Sequence, residues 1–76
     1  MNKKKIVGIQ YVTPKNKNAF YFIYVEFPMD SNSNGTGICT DKYFIPENKM
    51  IPDLKVNDYI CIGFNPNGFV DFILKV

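Results

Sequence analysis

The chain has 76 residues and a net charge of only +2 at pH 7, from nine lysines and seven carboxylates, with no arginine and no histidine. A chain of this length forms one small domain, 1–76, which buries about 60% of its unfolded surface and gains stability from self-association. Cys39 and Cys61 lack CxxC spacing, which disfavours a zinc site. We favour two reduced thiols, and the alternative is a disulfide between neighbouring strands.

The N-terminal lysines do not predict a signal peptide. They precede IVGIQYV, an apolar run that is interrupted by Gln10 and Tyr11 and lacks a cleavage site. Because no apolar run is long enough for a membrane-spanning helix either, we expect a cytoplasmic protein.

The first half of the chain predicts three strands joined by short loops. Residues 5–13 alternate in polarity and end at the PKNKN turn. Residues 19–27, AFYFIYVEF, are apolar on both faces, since one face takes Phe20, Phe22 and Tyr24 and the other takes Tyr21, Ile23, Val25 and Phe27. A third strand is predicted over 38–45, after a polar loop.

The second half predicts a closing hairpin. Two prolines break residues 46–56, which allow at most one short helical turn near 46–50. Strands 59–64 and 69–76 flank Asn65-Pro66-Asn67-Gly68, which is typical of a tight hairpin with Gly68 at positive φ. The expected core face contains Ile60, Ile62, Phe64, Val70, Phe72, Leu74 and Val76. This order predicts an all-β, small five-stranded OB-like barrel, with an SH3-like barrel as the alternative.

The second apolar face of the aromatic strand needs a cover. Phe20, Phe22 and Tyr24 exposed together would form a patch near the largest that a soluble monomer tolerates. We therefore expect a homo-oligomer, most simply a dimer, with these three residues at its interface.

One loop partly matches a calcium-binding sequence. Asp30, Asn32, Asn34 and Asp41 have the spacing of calcium ligands. Aspartate replaces the usual final glutamate and strands flank the loop, so an ordinary turn is favoured and no metal or other cofactor is expected. The carboxylates are scattered and no nucleophile motif is present, so we expect no enzyme activity.

Lysines interleaved with aromatic residues are the remaining chemical signal. Single-stranded nucleic acids are bound by cations on phosphates and by aromatic rings on which bases stack. The candidate residues are Lys3, Lys4, Lys5, Lys15, Lys17, Tyr21, Tyr24, Lys42, Tyr43 and Tyr59. The alternative is that the lysines are solvated and the tyrosines fill the core.

The KVNDYICIGF run, the NPNG turn and the order of the strands resemble the small OB-type single-stranded DNA-binding proteins of phages and plasmids, including the dimeric gene V type. The resemblance implies a homodimer of a phage or other mobile element whose tyrosines and phenylalanines contact bases. The sequence thus predicts a sequence-tolerant binder of single-stranded DNA or RNA. The alternative is a non-enzymatic protein- or small-ligand-binding barrel, such as a mobile-element inhibitor, that uses the aromatic face.

Overall fold

The described part of the chain folds as five strands with one 3-10 turn. The computed structural model describes residues 3–30 and 34–76. The strands are β1 (Lys4–Val12), β2 (Phe20–Pro28), β3 (Ile38–Pro46), β4 (Tyr59–Phe64) and β5 (Val70–Lys75), and the 3-10 turn is Glu47–Lys49. The all-β prediction is confirmed, and each strand begins and ends within one residue of its predicted limits. Prolines, glycines and alternating polarity mark these limits because they act locally on the backbone.

The strands form one antiparallel sheet in the order β3-β2-β1-β4-β5. β1 lies at the centre, and β3 and β5 are the two edges. The predicted barrel closure is not observed, because no strand pairing joins β3 to β5 in the part of the chain that the structure describes. The sheet is therefore open.

The core lies on one face of this sheet. Its fully buried side chains are Ile6, Ile23, Val25, Ile45 and Ile60. The segment between the 3-10 turn and β4 packs Met50, Ile51 and Leu54 against the same core. One face of the aromatic strand β2 thus faces the core, which leaves the opposite face of the sheet, here called the outer face, for other contacts.

Two irregularities change which residues reach the core. In β1, the pairing passes from Ile6 directly to Gly8, so Val7 is an extra residue and is 42% exposed. Both Ile6 and Ile9 then contact the core, although their spacing is odd. A β-bulge has this effect because it inserts one unpaired residue and reverses the alternation beyond it.

The second bulge overturns the predicted core face of the last hairpin. β5 carries Asp71 as an extra residue, so Ile62 pairs with Ile73 and not with Phe72. Ile73 is buried as a result. The expected core positions Phe64, Phe72, Leu74 and Val76 are instead exposed, and this part of the prediction is wrong.

The hairpin tip itself is confirmed. Gly68 has φ = 85°, and its amide donates to the Asn65 carbonyl at 2.9 Å. The Asn65 side-chain oxygen accepts from the amides of Asn67 and Phe69, each at 3.0 Å. These bonds explain why asparagine and glycine occupy the two ends of the tip. The two cysteines are free, so no disulfide links the strands.

Candidate nucleic-acid interface

Three phenylalanine rings pack against one another, tilted or edge to face, on the outer face of β2 and β3. The Phe20 and Phe44 ring centroids are 4.7 Å apart, Phe20 and Phe22 are 5.2 Å apart, and Phe22 and Phe44 are 6.3 Å apart. Strand register produces this cluster, because Phe22 pairs with Phe44 across the two strands. We call Phe20, Phe22, Tyr24 and Phe44 the aromatic face.

The rings of the aromatic face shield one another in the single chain. Phe20, Phe22 and Tyr24 are half-buried, and Phe44 is 45% exposed. The patch is therefore less exposed than the sequence suggested, yet it still presents flat apolar surface to solvent. Coverage of Phe20, Phe22 and Tyr24 by a second copy stays a prediction.

A cation lies directly on this face. The Lys42 ammonium is 4.6 Å from the centroid of the Phe22 ring, and Lys42 is the cross-strand neighbour of Tyr24. The distance is typical of a cation–π contact, which holds the ammonium beside the aromatic surface. A flat anionic ligand would meet apolar and positive groups together here.

Tyr24 is held in place from both sides. Its hydroxyl donates to the Gln10 side-chain oxygen at 2.9 Å. Its ring lies against Gly8 of β1, where an added Cβ would come within 3.3 Å of the ring. The glycine thus leaves the space in which the ring lies on the backbone of the neighbouring strand.

The remaining candidate residues lie at the two ends of the sheet. Lys5 pairs with Tyr59, which is 47% exposed, and the Lys3 ammonium is 5.9 Å from the Tyr59 ring. Lys15 and Lys17 are exposed in the turn between β1 and β2. Cations therefore occur at both ends of the aromatic face as well as on it.

Three predicted contact residues lie on the core side. Tyr43 is buried, and the Lys4 ammonium donates to its hydroxyl while lying 4.5 Å from the Phe27 ring. Tyr21 is half-buried and stacks on Tyr11 at 4.8 Å. Strand alternation separates these side chains from the aromatic face, so Lys4, Tyr21 and Tyr43 do not join the candidate site.

A cavity of about 430 Å³ adjoins the aromatic face where β3 ends. It is lined by Asn18, Ala19, Phe20, Phe44, Pro46, Glu47 and Asn48. The Tyr11 hydroxyl donates to Glu47 Oε2 at 2.6 Å, which fixes the carboxylate and raises the pKa of Tyr11, with burial a smaller cause. We call this cavity the terminal pocket.

The candidate calcium loop lies partly outside the described residues. Asn32 lies outside the described residues, and Asp41 Oδ1 accepts from the Lys42 amide at 2.8 Å. Asp30 and Asn34 are described at the two sides of the gap. Among the described residues, no group of three histidine, cysteine, aspartate or glutamate side chains is placed to hold a metal ion.

Sequence reasoning missed Phe44, Gln10 and Glu47. Alternation in ICTDKYFI already puts Phe44 and Lys42 on one face, so that pair was detectable. The contact between Tyr11 and Glu47 joins residues 36 positions apart, and no local pattern indicates it.

Comparisons with known proteins give no family for this chain. No protein-family model matches it, and no curated protein or solved structure is significantly similar to it. Within the described residues, no helix has the length and hydropathy needed to cross a membrane. The function is therefore inferred from the arrangement of the chain's own side chains.

Proposed function

We propose that this protein is a sequence-tolerant, non-enzymatic binder of single-stranded DNA or RNA, of the kind that serves a phage or another mobile element. The observation that carries the proposal is the Lys42 ammonium lying 4.6 Å from the centroid of the Phe22 ring, within a cluster of three phenylalanine rings in mutual contact. Bases stack on exposed rings whatever their identity, and cations contact the phosphates between them.

A single strand of nucleic acid can cross the sheet along this surface. It would pass Lys3, Lys5 and Tyr59 at one end and Phe22 and Lys42 in the middle, and finish near Lys15 and Lys17. The only described carboxylate among the β2 residues is Glu26, and Lys5 lies across from it in the β1–β2 pairing. The phosphates would therefore meet more positive than negative charge along this path.

The strand order also supports an OB-like domain. β1 pairs with both β2 and β4, as in an OB-type sheet, whereas an SH3-like barrel pairs its first and last strands. The face of strands 2 and 3 and the loops beside it are the ligand-binding region of OB domains. The aromatic face occupies the same strands here, so we favour the OB-like architecture, open between β3 and β5.

The test is a fluorescence-anisotropy titration of the protein with labelled oligothymidine at several salt concentrations. Phe44→Ala should weaken binding by about 1–3 kcal/mol, because it removes the most exposed ring of the aromatic face. Lys42→Gln should reduce the salt slope by about 0.7, the value for one phosphate contact on a single strand.

Matched controls separate the site from general effects of charge and surface area. Lys75→Gln removes a lysine whose ammonium already pairs with Asp58 at 3.3 Å, so it should leave the salt slope unchanged. Phe69→Ala removes a ring that is 65% exposed at the hairpin tip, away from Lys42. Equal losses for Phe69→Ala and Phe44→Ala, or binding insensitive to salt, would refute the proposal.

A second candidate function, a protein interface, is favoured by a separate observation. The last hairpin exposes Phe69, Phe72, Leu74 and Val76, apolar side chains of the kind found at interfaces. We propose a second copy of the chain as its occupant, which would leave the aromatic face free for a ligand. In this case Phe69→Ala should weaken self-association and leave oligonucleotide binding intact.

A further inference from the structure

The Tyr24 side chain lies along β1 on the outer face of the sheet. Tyr24 pairs with Gly8, and three of its side-chain carbon atoms lie 3.3 to 3.7 Å from the position that a Cβ on Gly8 would take. Its hydroxyl reaches Gln10, where it donates to Oε1 at 2.9 Å. Gly8 and Gln10 share a face because they are two residues apart on one strand. The tyrosine side chain therefore extends along that strand from the glycine to the glutamine.

The hydrogen bond decides which part of the Gln10 amide is left for a ligand. Oε1 accepts from the Tyr24 hydroxyl, whereas the two hydrogens on Nε2 take no part in this bond. A carboxamide carries its acceptor and its donors on opposite arms, so a bond that holds the oxygen also orients the donors. Gln10 is an exposed residue, and a ligand on the outer face can therefore reach its amide nitrogen.

Gln10 is next to a ring and a cation of the candidate site. Phe22 is its cross-strand neighbour on β2, and the Lys42 ammonium lies 4.6 Å from the centroid of the Phe22 ring. An amide from β1, a ring from β2 and an ammonium from β3 thus lie side by side across three neighbouring strands. These groups offer a hydrogen bond, a stacking surface and a phosphate contact, which are the interactions that hold a single strand of nucleic acid.

We propose that Gln10 binds the nucleic acid directly, with Nε2 donating to an acceptor atom of the bound strand, and that the Tyr24 hydroxyl positions its amide. This inference rests on the proposed function. Every base carries acceptor atoms on its edges, and so does the sugar–phosphate backbone, so a contact made through donors alone suits any base. Because the side chain is neutral, the contact adds affinity without releasing counterions.

The first test repeats the oligothymidine titration with a pair of variants and their combination. Gln10→Met keeps the length of the side chain and removes its donors and acceptor, whereas Tyr24→Phe keeps the ring and removes the hydroxyl. Each should weaken binding about two- to tenfold, the effect of one hydrogen bond, and leave the salt slope unchanged. Because both changes disable the same contact, the double variant should bind about as tightly as Gln10→Met alone.

Tyr11→Phe is the matched control for Tyr24→Phe. It removes a hydroxyl that is also hydrogen-bonded, to Glu47, but on the core side of the sheet. Its affinity for oligothymidine should equal that of the wild type. A loss as large as that of Tyr24→Phe would contradict a role specific to the outer face.

The second test observes the Gln10 amide itself. Gln10 is the only glutamine in the sequence, so ¹⁵N-glutamine labelling gives the full chain a single glutamine side-chain amide group. Oligothymidine should shift its signals with the same midpoint as the anisotropy titration. An abasic strand of the same length identifies the acceptor: a Gln10→Met penalty that persists places it on the sugar–phosphate backbone, and one that disappears places it on a base.

The outcomes distinguish this inference from the proposed function. If oligothymidine binds with salt dependence and Phe44→Ala weakens it, but Gln10→Met binds as tightly as the wild type, the role of Gln10 is overturned and the proposed function stands. Additive losses in the double variant would overturn the positioning role of Tyr24. Failure of the wild type to bind oligothymidine would overturn the proposed function, and the role of Gln10 with it.

Discussion

Adjacent residues of β2 have different roles because they point to opposite sides of the sheet. Ile23 is fully buried and Phe22 is half-buried on the aromatic face. We expect Ile23→Ala to lower the free energy of unfolding by about 2–5 kcal/mol, because it leaves a cavity in the core. Phe22→Ala should cost less stability and weaken oligonucleotide binding. Urea denaturation of both variants measures the difference, and equal destabilisation would show that the outer face is buried in solution.

The hydrogen bond between Tyr11 and Glu47 raises the pKa of Tyr11, so this tyrosine ionises at a higher pH than an ordinary one. This bond is the largest cause of the raised pKa of Tyr11, because ionisation of the phenol would break it beside a negative carboxylate. A raised pKa means that the bond contributes fully to stability below the ordinary tyrosine pKa of about 10, and that the contribution is lost as the pH rises through the folded-state value.

Absorbance titration of tyrosinate should therefore show a late-ionising phase that disappears in Tyr11→Phe. In Glu47→Gln the same phase should move toward the ordinary tyrosine range. Identical titration curves for the wild type and Tyr11→Phe would contradict the contact.

Among the elements, the β4–β5 hairpin depends most on one glycine. Gly68 has φ = 85°, a conformation in which a Cβ clashes with the backbone although the surrounding space is open. We expect Gly68→Ala to destabilise the protein by about 1–2 kcal/mol and Gly68→Asn to cost less, since asparagine tolerates this conformation. Thermal unfolding provides the comparison. Equal destabilisation by Gly68→Ala and Gly68→Asn would indicate that a lost contact, and not backbone strain, is the cause.

Asp58, in the loop before β4, makes the stability of the fold depend on pH. Asp58 Oδ2 accepts from the Lys55 amide at 2.8 Å and lies 3.3 Å from the Lys75 ammonium, and both contacts lower the pKa of Asp58. The lowered pKa means that the ionised form is stabilised in the folded chain. Its contribution is present above the unfolded-state pKa of about 4 and is lost as the pH falls through the lower folded-state value.

Asp58→Asn should therefore be less stable than the wild type at neutral pH, and the difference should shrink in acid. Urea denaturation at a series of pH values tests this, with Asp71→Asn as the control for an exposed carboxylate in the β5 bulge. A difference that stays constant with pH would contradict the assigned role of Asp58.

The whole molecule is an open sheet with two edge strands and apolar surface on its last hairpin. Such a surface is an association site or an aggregation hazard unless it is covered. We expect light scattering at high concentration to report a mass near twice 8.8 kDa. Leu74→Asp, at a position that is 53% exposed, should restore the monomer without unfolding it. A wild-type mass that stays at 8.8 kDa would exclude the dimer.

The sequence by itself determined the positions of the five strands, the 3-10 turn near Pro46 and the conformation of Gly68. These features follow from local rules. Proline restricts the backbone at its own position and glycine frees it, and an alternation of polar and apolar residues indicates a strand. Only the tertiary structure decided which residues reach the core after Val7 and after Asp71, because a bulge depends on pairing between strands distant in sequence. The same pairing brings the Phe44 ring against the Phe20 ring. The 3-10 turn after β3 brings Glu47 to Tyr11, a contact that no local pattern specifies.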